Sequence, residues 1–161
     1  MPEGPEIRKA ADKIERAVNA KVTGEVFFAF EHLKPYESQL TGQIVRRVET
    51  RGKALLLHFD NRLTIYSHNQ LYGVWMVRNA YSYPDTKRQL RLAIHTPKKS
   101  ALLYSASDIE VLTPDQISGH PFLSQLGPDV LDPQLRPAHV LELLTAKRNQ
   151  RRQLTTLYLD Q

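Results

Sequence analysis

What most narrows the folds open to this chain is how residues 22 to 112 are divided. Eight short stretches rich in β-branched, leucine and aromatic residues follow one another, at 22–30, 43–50, 54–59, 63–67, 73–77, 90–95, 101–105 and 109–112. Each reads as a strand. Turn signals separate them at Thr41-Gly42, Arg51-Gly52, Asp60-Asn61, Tyr83-Pro84-Asp85 and Thr96-Pro97-Lys98-Lys99. Parallel neighbours need long crossovers, and intervals this short leave no room for them, so the strands are expected to form antiparallel hairpins in a sandwich or barrel. At 161 residues and 41% hydrophobic content the chain has about the size of one ordinary domain and enough apolar surface for a main core.

The flanks have different periods. From Pro5 to Asn19 the apolar residues Ile7, Ala10, Ala11, Ile14, Ala17 and Val18 recur at spacings of three and four, which predicts a helix with one buried face. Pro5 suits a first helical turn and Glu6 the positive end of the helix dipole. Thr113-Pro114-Asp115 predicts a short helix ending near Gly119. Residues 127–137 carry Pro128, Pro133 and Pro137 with Gly127, too many breakers for helix or sheet, and the domain boundary is placed there. The expected organisation is a β-sandwich domain over 1–130, then a linker and the start of a helical domain over 131–161, the pattern alone equally allowing a frayed C-terminal helix docked on the sandwich. In that second part Val140, Leu141, Leu143 and Leu144 suggest a helix, Lys147, Arg148, Arg151 and Arg152 form a basic cluster, and Leu154, Leu157 and Tyr158 resume helical spacing. The fold class expected is α+β: an N-terminal helix packed on a two-sheet antiparallel sandwich of about eight strands, with a short C-terminal helical segment.

Composition excludes several functions. There is no cysteine, so no disulfide framework, CxxC redox pair or cysteine zinc site exists within the chain. Apolar runs such as 27–30 and 54–57 fall far short of the roughly 18 residues of a membrane helix. Early acids and prolines stand where a signal peptide carries a basic start, and the chain reads as cytoplasmic and soluble. With 22 Lys and Arg against 17 Asp and Glu, the net charge of +5 permits a polyanion partner without demanding one. HExxH, P-loop and GxGxxG motifs are absent, and the six histidines are scattered without metal-ligand spacing. Ser67-His68 is no nucleophile–base pair, because adjacent strand residues point to opposite faces.

The N-terminus carries more chemistry. Removal of Met1 would leave Pro2 with a free secondary amine, which can attack a carbonyl or a sugar anomeric carbon to give an iminium. An α-amino group titrates near pH 8 and keeps an unprotonated fraction at neutral pH, unlike lysine at about 10.4. Glu3, the next residue, is a candidate proton donor. Taken alone, Met-Pro-Glu reads as an ordinary helix start.

Three separated motifs change that balance. Met1-Pro2-Glu3-Gly4-Pro5-Glu6 leads straight into an amphipathic helix, Arg51-Gly52-Lys53 lies between strands, and His68-Asn69-Gln70-Leu71-Tyr72-Gly73 follows another strand. In this order they resemble the formamidopyrimidine-DNA glycosylase and endonuclease VIII family. The tract from Tyr66 to Trp75 is similar to its endonuclease VIII branch, and the similarity continues through Leu103-Tyr104-Ser105-Ala106-Ser107-Asp108 and Gly127-Pro128-Asp129-Val130-Leu131.

The resemblance implies a bifunctional DNA repair enzyme that excises oxidised pyrimidines and then cleaves the strand at the abasic site by β,δ-elimination. Pro2 would be the nucleophile at deoxyribose C1′, and Glu3 would protonate the sugar. Lys53 would contact phosphate and assist elimination, with Glu6 as a supporting carboxylate. Gln70, Leu71 and Tyr72 would form the loop that fills the space left by the extruded nucleotide, offsetting an unstacking cost of a few kcal/mol. Without the resemblance, Leu71 and Tyr72 would read as hairpin core. Lys147, Arg148, Arg151 and Arg152 would contact phosphates, or else form a solvated helix face. The implied partner is double-stranded DNA bearing an oxidised base or abasic site, met in the bacterial nucleoid by a monomer.

The chain departs from the family pattern in ending where the helical domain begins. The family's finger, zinc-bearing or zincless, is missing, so no metal or other cofactor is expected in this chain. Gln125 replaces a commonly basic residue. Two other readings therefore stay open: a truncated fragment that binds damaged or abasic DNA with little or no turnover, and a β-sandwich module that binds protein.

Overall fold

In the first helix, α1 (Gly4–Val18), Ile7, Ala11, Ile14, Ala17 and Val18 are buried along one stripe, as their spacing predicts. The computed structural model describes residues 2–129 and 132–153. Glu3 caps α1 in an extended conformation and Pro stands in the first turn. The eight expected strands all form: β1 (Glu25–Phe28), β2 (Val45–Arg51), β3 (Ala54–Phe59), β4 (Thr64–His68), β5 (Val74–Asn79), β6 (Leu90–His95), β7 (Lys99–Tyr104) and β8 (Asp108–Leu112). They pair antiparallel throughout. One sheet has the order β1-β6-β7-β5 and the other β2-β3-β4-β8, each with four strands.

Alternation along the strands builds the core. Val26 and Phe28 of β1, Leu92 and Ile94 of β6, Ala101 and Leu103 of β7, and Trp75 of β5 share one cluster with Leu55, Leu57 and Phe59 of β3, Ile65 of β4, and Ile109 and Val111 of β8. The buried stripe of α1 joins the same cluster, and α1 packs against strands of both sheets. Burying one such side chain stabilises the fold by about 1.5–3 kcal/mol, so the helix is fixed by several times that amount. Because α1 is fixed, so is Glu3, which caps it.

Two details depart from the pattern. The stretch 22–30 gives a strand only over Glu25–Phe28, because Phe30 already leads into a 3-10 turn, Glu31–Leu33. A short helix, α2 (Pro35–Leu40), follows; at six residues it is too brief for periodicity to reveal. The expected helix after Thr113 is α3 (Pro114–Ser118).

The chain divides into two compact units, Met1–Ser118 and Gly119–Gln161. Gly119, His120 and Pro121 follow α3 and interrupt the regular structure there. The proline-rich stretch 127–137, where composition places a boundary, lies within the second unit. That unit contains a 3-10 turn at Leu123–Gln125, helix α4 (Pro137–Thr145) and a 3-10 turn at Lys147–Asn149. Asn149 is buried and its side-chain amide donates to the Leu143 carbonyl at 2.7 Å, closing the end of α4. Met1, Val130 and Leu131, and the helical spacing of Leu154, Leu157 and Tyr158, lie outside the described residues. Among the described residues no helix is long and apolar enough to cross a membrane.

Candidate active site

Pro2 is half-buried immediately before α1, and the residues after it are tied down by backbone geometry. The Glu3 N–H donates to the Glu6 carboxylate at 2.9 Å, and the Glu3 carbonyl accepts from the N–H groups of Glu6 and Ile7, both at 3.0 Å. Glu6 therefore acts on Glu3 through its backbone and supports the first turn.

Lys53 arrives from the other sheet. Arg51 and Ala54 pair across the β2–β3 hairpin, and Gly52 takes φ +55, a left-handed conformation that glycine adopts without steric cost. The turn carries the Lys53 Nζ to 3.1 Å from Glu3 Oε2. The lysine side chain is only 15% exposed, while that of Glu3 is 61% exposed. A sheltered ammonium thus holds one face of a carboxylate whose remainder faces solvent. Such a pair, one residue from the Pro2 nitrogen, can pass protons and stabilise negative charge beside a nucleophilic amine.

The loop from Asn69 to Gly73 is tight and outward-pointing. The Gly73 N–H donates to the Asn69 carbonyl at 2.8 Å, Gln70 takes φ +50, and the Gln70 N–H donates to His68 Nδ1 at 3.1 Å. To accept there, His68 must be neutral. Burial pulls its pKa down; the Lys53 charge acts in the same direction and Asp108 opposes. Ser107 Oγ donates to Gln70 Oε1 at 2.7 Å. The turn places Leu71 and Tyr72 outside, 63% and 71% exposed. They are therefore not the hairpin core that residue type alone suggests. The tight turn between two strands gives their side chains no inner face to occupy.

Pro2 and this loop share one cleft of about 450 Å³, lined also by Glu6, Trp75 and Arg88. Arg88 escaped the sequence reading because it lies in the irregular connection between β5 and β6, where no period applies. Its place would have been legible only from the pairing of β5 with β7, which brings that connection near the loop. Ser67 Oγ is buried without a hydrogen-bond partner among the described residues, in keeping with its dismissal as a nucleophile.

Residues 1–107 match the family model described as the formamidopyrimidine-DNA glycosylase N-terminal domain. The chain belongs to this family. This glycosylase-family chain is 60% identical to "Endonuclease 8" of Salmonella schwarzengrund and 59% identical to that of Salmonella arizonae, over all of its own length. It spans 61% of the length of these relatives. Formamidopyrimidine-DNA glycosylase of Lactococcus lactis, solved with DNA containing an abasic site, superimposes with a TM-score of 0.68 at 16% identity, over 80% of this chain and 52% of that one. The protein MutM, solved with DNA containing carbocyclic 8-oxo-G, gives 0.68 at 18% identity, over 80% and 51%. These likenesses show the fold of the glycosylase family, in agreement with the N-terminal helix and two-sheet antiparallel sandwich of about eight strands expected from the sequence.

Lys147, Arg148, Arg151 and Arg152 are all exposed in the second unit of this glycosylase-family chain. Among the described residues no group of three His, Cys, Asp or Glu side chains is placed to hold a metal ion. The chain has no cysteine to serve as a thiolate ligand.

Proposed function

We propose that this chain is the catalytic half of a base-excision repair enzyme that removes oxidised pyrimidines and cleaves the strand at the abasic site. The observation carrying the proposal is that Pro2 and the exposed Leu71 and Tyr72 line one cleft. A nucleophile for the sugar and a wedge for the emptied base stack are what this chemistry needs side by side.

With Met1 removed, the Pro2 amine attacks C1′ as the bond from C1′ to the base breaks and the departing base takes up a proton. Glu3 supplies a proton to the ring oxygen, and ring opening leaves an iminium between Pro2 and C1′. Loss of a C2′ proton then expels the 3′ phosphate, and a second elimination releases the 5′ phosphate. Lys53 holds Glu3 and neutralises phosphate charge as it develops. Hydrolysis of the iminium restores the amine. The amine, carboxylate and ammonium suffice, so the reading calls for no cofactor. Gln70 orients the wedge, and Lys147, Arg148, Arg151 and Arg152 add phosphate contacts. The segment 131–161 is a linker and the start of a helical DNA-binding domain, a reading supported by α4 and the exposed basic residues that follow it. The reading includes a monomer acting on the chromosome in the cytoplasm, the bacterial origin of the relatives agreeing with the compartment.

A second reading is a fragment that binds damaged DNA with little turnover, since affinity at physiological salt depends steeply on the number of phosphate contacts. Incubating the chain at low salt with a duplex carrying one oxidised pyrimidine separates the cases. A nick with phosphate at both ends supports the enzyme. Salt-dependent binding without a nick supports the fragment. An absence of DNA affinity even at low salt would overturn both and leave a protein-binding module.

A further inference from the structure

The connection between β5 and β6 is pinned at its base. His95 is 1% exposed; its Nδ1 lies 2.6 Å from Ser100 Oγ and its Nε2 lies 3.1 Å from the Tyr83 hydroxyl. The Tyr81 ring stacks on the His95 ring at 4.2 Å and 11°, and the Tyr81 N–H donates to Ser100 Oγ at 2.9 Å. At the far end the Ser105 N–H donates to the Gln89 carbonyl at 2.8 Å. A connection held at both ends presents the residue before Gln89 in a defined place. That residue is Arg88, whose Nη1 donates to the Tyr72 carbonyl at 2.7 Å.

This contact falls on one peptide unit. The Tyr72 carbonyl receives Arg88, and the N–H of the same peptide, on Gly73, donates to the Asn69 carbonyl. Both polar ends of the Tyr72–Gly73 peptide are thereby fixed, so the peptide cannot rotate, and the two exposed side chains before it keep their direction. A charge-assisted donor is stronger than a neutral one, and no side chain in the loop supplies an equivalent.

We infer that Arg88 is a positioning residue that locks the wedge loop before DNA arrives, acting through the backbone of Tyr72 rather than on the substrate. The inference rests on the reading of Leu71 and Tyr72 as a wedge. The lock means that the loop does not pay an ordering entropy when it enters the duplex.

The test has one arm without DNA and one with it. Amide hydrogen exchange at Gly73 is compared in the wild-type chain, Arg88→Met and Arg88→Lys. The expected result is exchange on the order of tenfold faster in Arg88→Met, unchanged protection in α1 and β3, and recovery of most of the protection in Arg88→Lys. Unchanged exchange at Gly73 overturns the inference. In the second arm, 2-aminopurine opposite an abasic site reports unstacking at low salt. Arg88→Met is expected to reduce the signal severalfold in the wild-type background and, on top of Leu71→Ala with Tyr72→Ala, where nothing is left to position, to leave the affinity for the same duplex and its salt dependence unchanged. An effect that persists there, with a shallower salt dependence, identifies Arg88 as a phosphate contact and overturns the inference. A wild-type chain that gives no signal sinks the DNA reading itself, and the exchange arm still decides the role of Arg88.

Discussion

Gly73→Ala is the smallest change that tests whether the loop geometry matters. A Cβ at Gly73 would stand 2.6 Å from the Asn69 carbonyl oxygen and 2.7 Å from its Cα, against an ordinary contact of 3.4 Å or more. Both neighbours are backbone, so no side chain can swing aside, and the turn must open by roughly 0.8 Å. The Gly73 N–H···O bond, now 2.8 Å, would then lengthen to about 3.6 Å, beyond a hydrogen bond. The lost bond and residual strain should cost about 1–3 kcal/mol, measurable by urea unfolding. A displacement near 1 Å at a catalytic loop costs about a hundredfold in rate. Single-turnover nicking of a duplex with an oxidised pyrimidine should therefore fall about a hundredfold. Schiff-base formation at a preformed abasic site, which has no base to extract, should fall much less. Nicking at the wild-type rate in a folded Gly73→Ala chain would refute the argument that this turn sets the wedge.

Other parts of the structure give further expectations. Leu71→Ala with Tyr72→Ala should leave the urea midpoint within about 0.5 kcal/mol of wild type, since both side chains are exposed, while abolishing unstacking measured with 2-aminopurine; a large stability loss would return these residues to the core. Lys53→Met should change stability by no more than about 1 kcal/mol, because its partner Glu3 is largely solvated, and should slow strand cleavage by a factor of about 10² to 10⁴ in a gel assay. Glu49 is raised by burial, yet hydrogen bonds from His58 and Arg51 and the charges of Arg51 and Arg47 hold it at about 2. Its folded value is depressed, so its stabilisation is complete above the ordinary 4.5 and lost as pH falls toward 2. With the Arg47 and Arg51 side chains 60% and 41% exposed, screening brings this to about 2 kcal/mol, and Glu49→Gln should remove that pH-dependent loss in acid unfolding curves.

The strands and α1 were legible because their apolar residues alternate or recur with a core on one side, and Val26, Leu57 and Ile14 each fall on the buried face that the pattern assigns. The short helix Pro35–Leu40 was not, since six residues contain too few turns to show a period. Pro2, Glu3 and Lys53 were legible only as a combination of motifs. Bare residue type misassigned Leu71 and Tyr72, because hydrophobicity does not register that Gly73 can approach the Asn69 backbone closely enough to close a turn beneath them. The contacts of Arg88 and Ser107 were out of reach, for they join segments that only the paired sheets bring together.

The central claim is that the Pro2 amine is the nucleophile. Borohydride reduction during incubation of the chain, its N-terminus verified by mass spectrometry to begin at Pro2, with a duplex bearing an abasic site tests it directly. The account predicts a covalent protein–DNA adduct that maps to Pro2 and disappears when Met1 is retained. No adduct from folded, correctly processed chain, or an adduct mapping to a lysine, would contradict it.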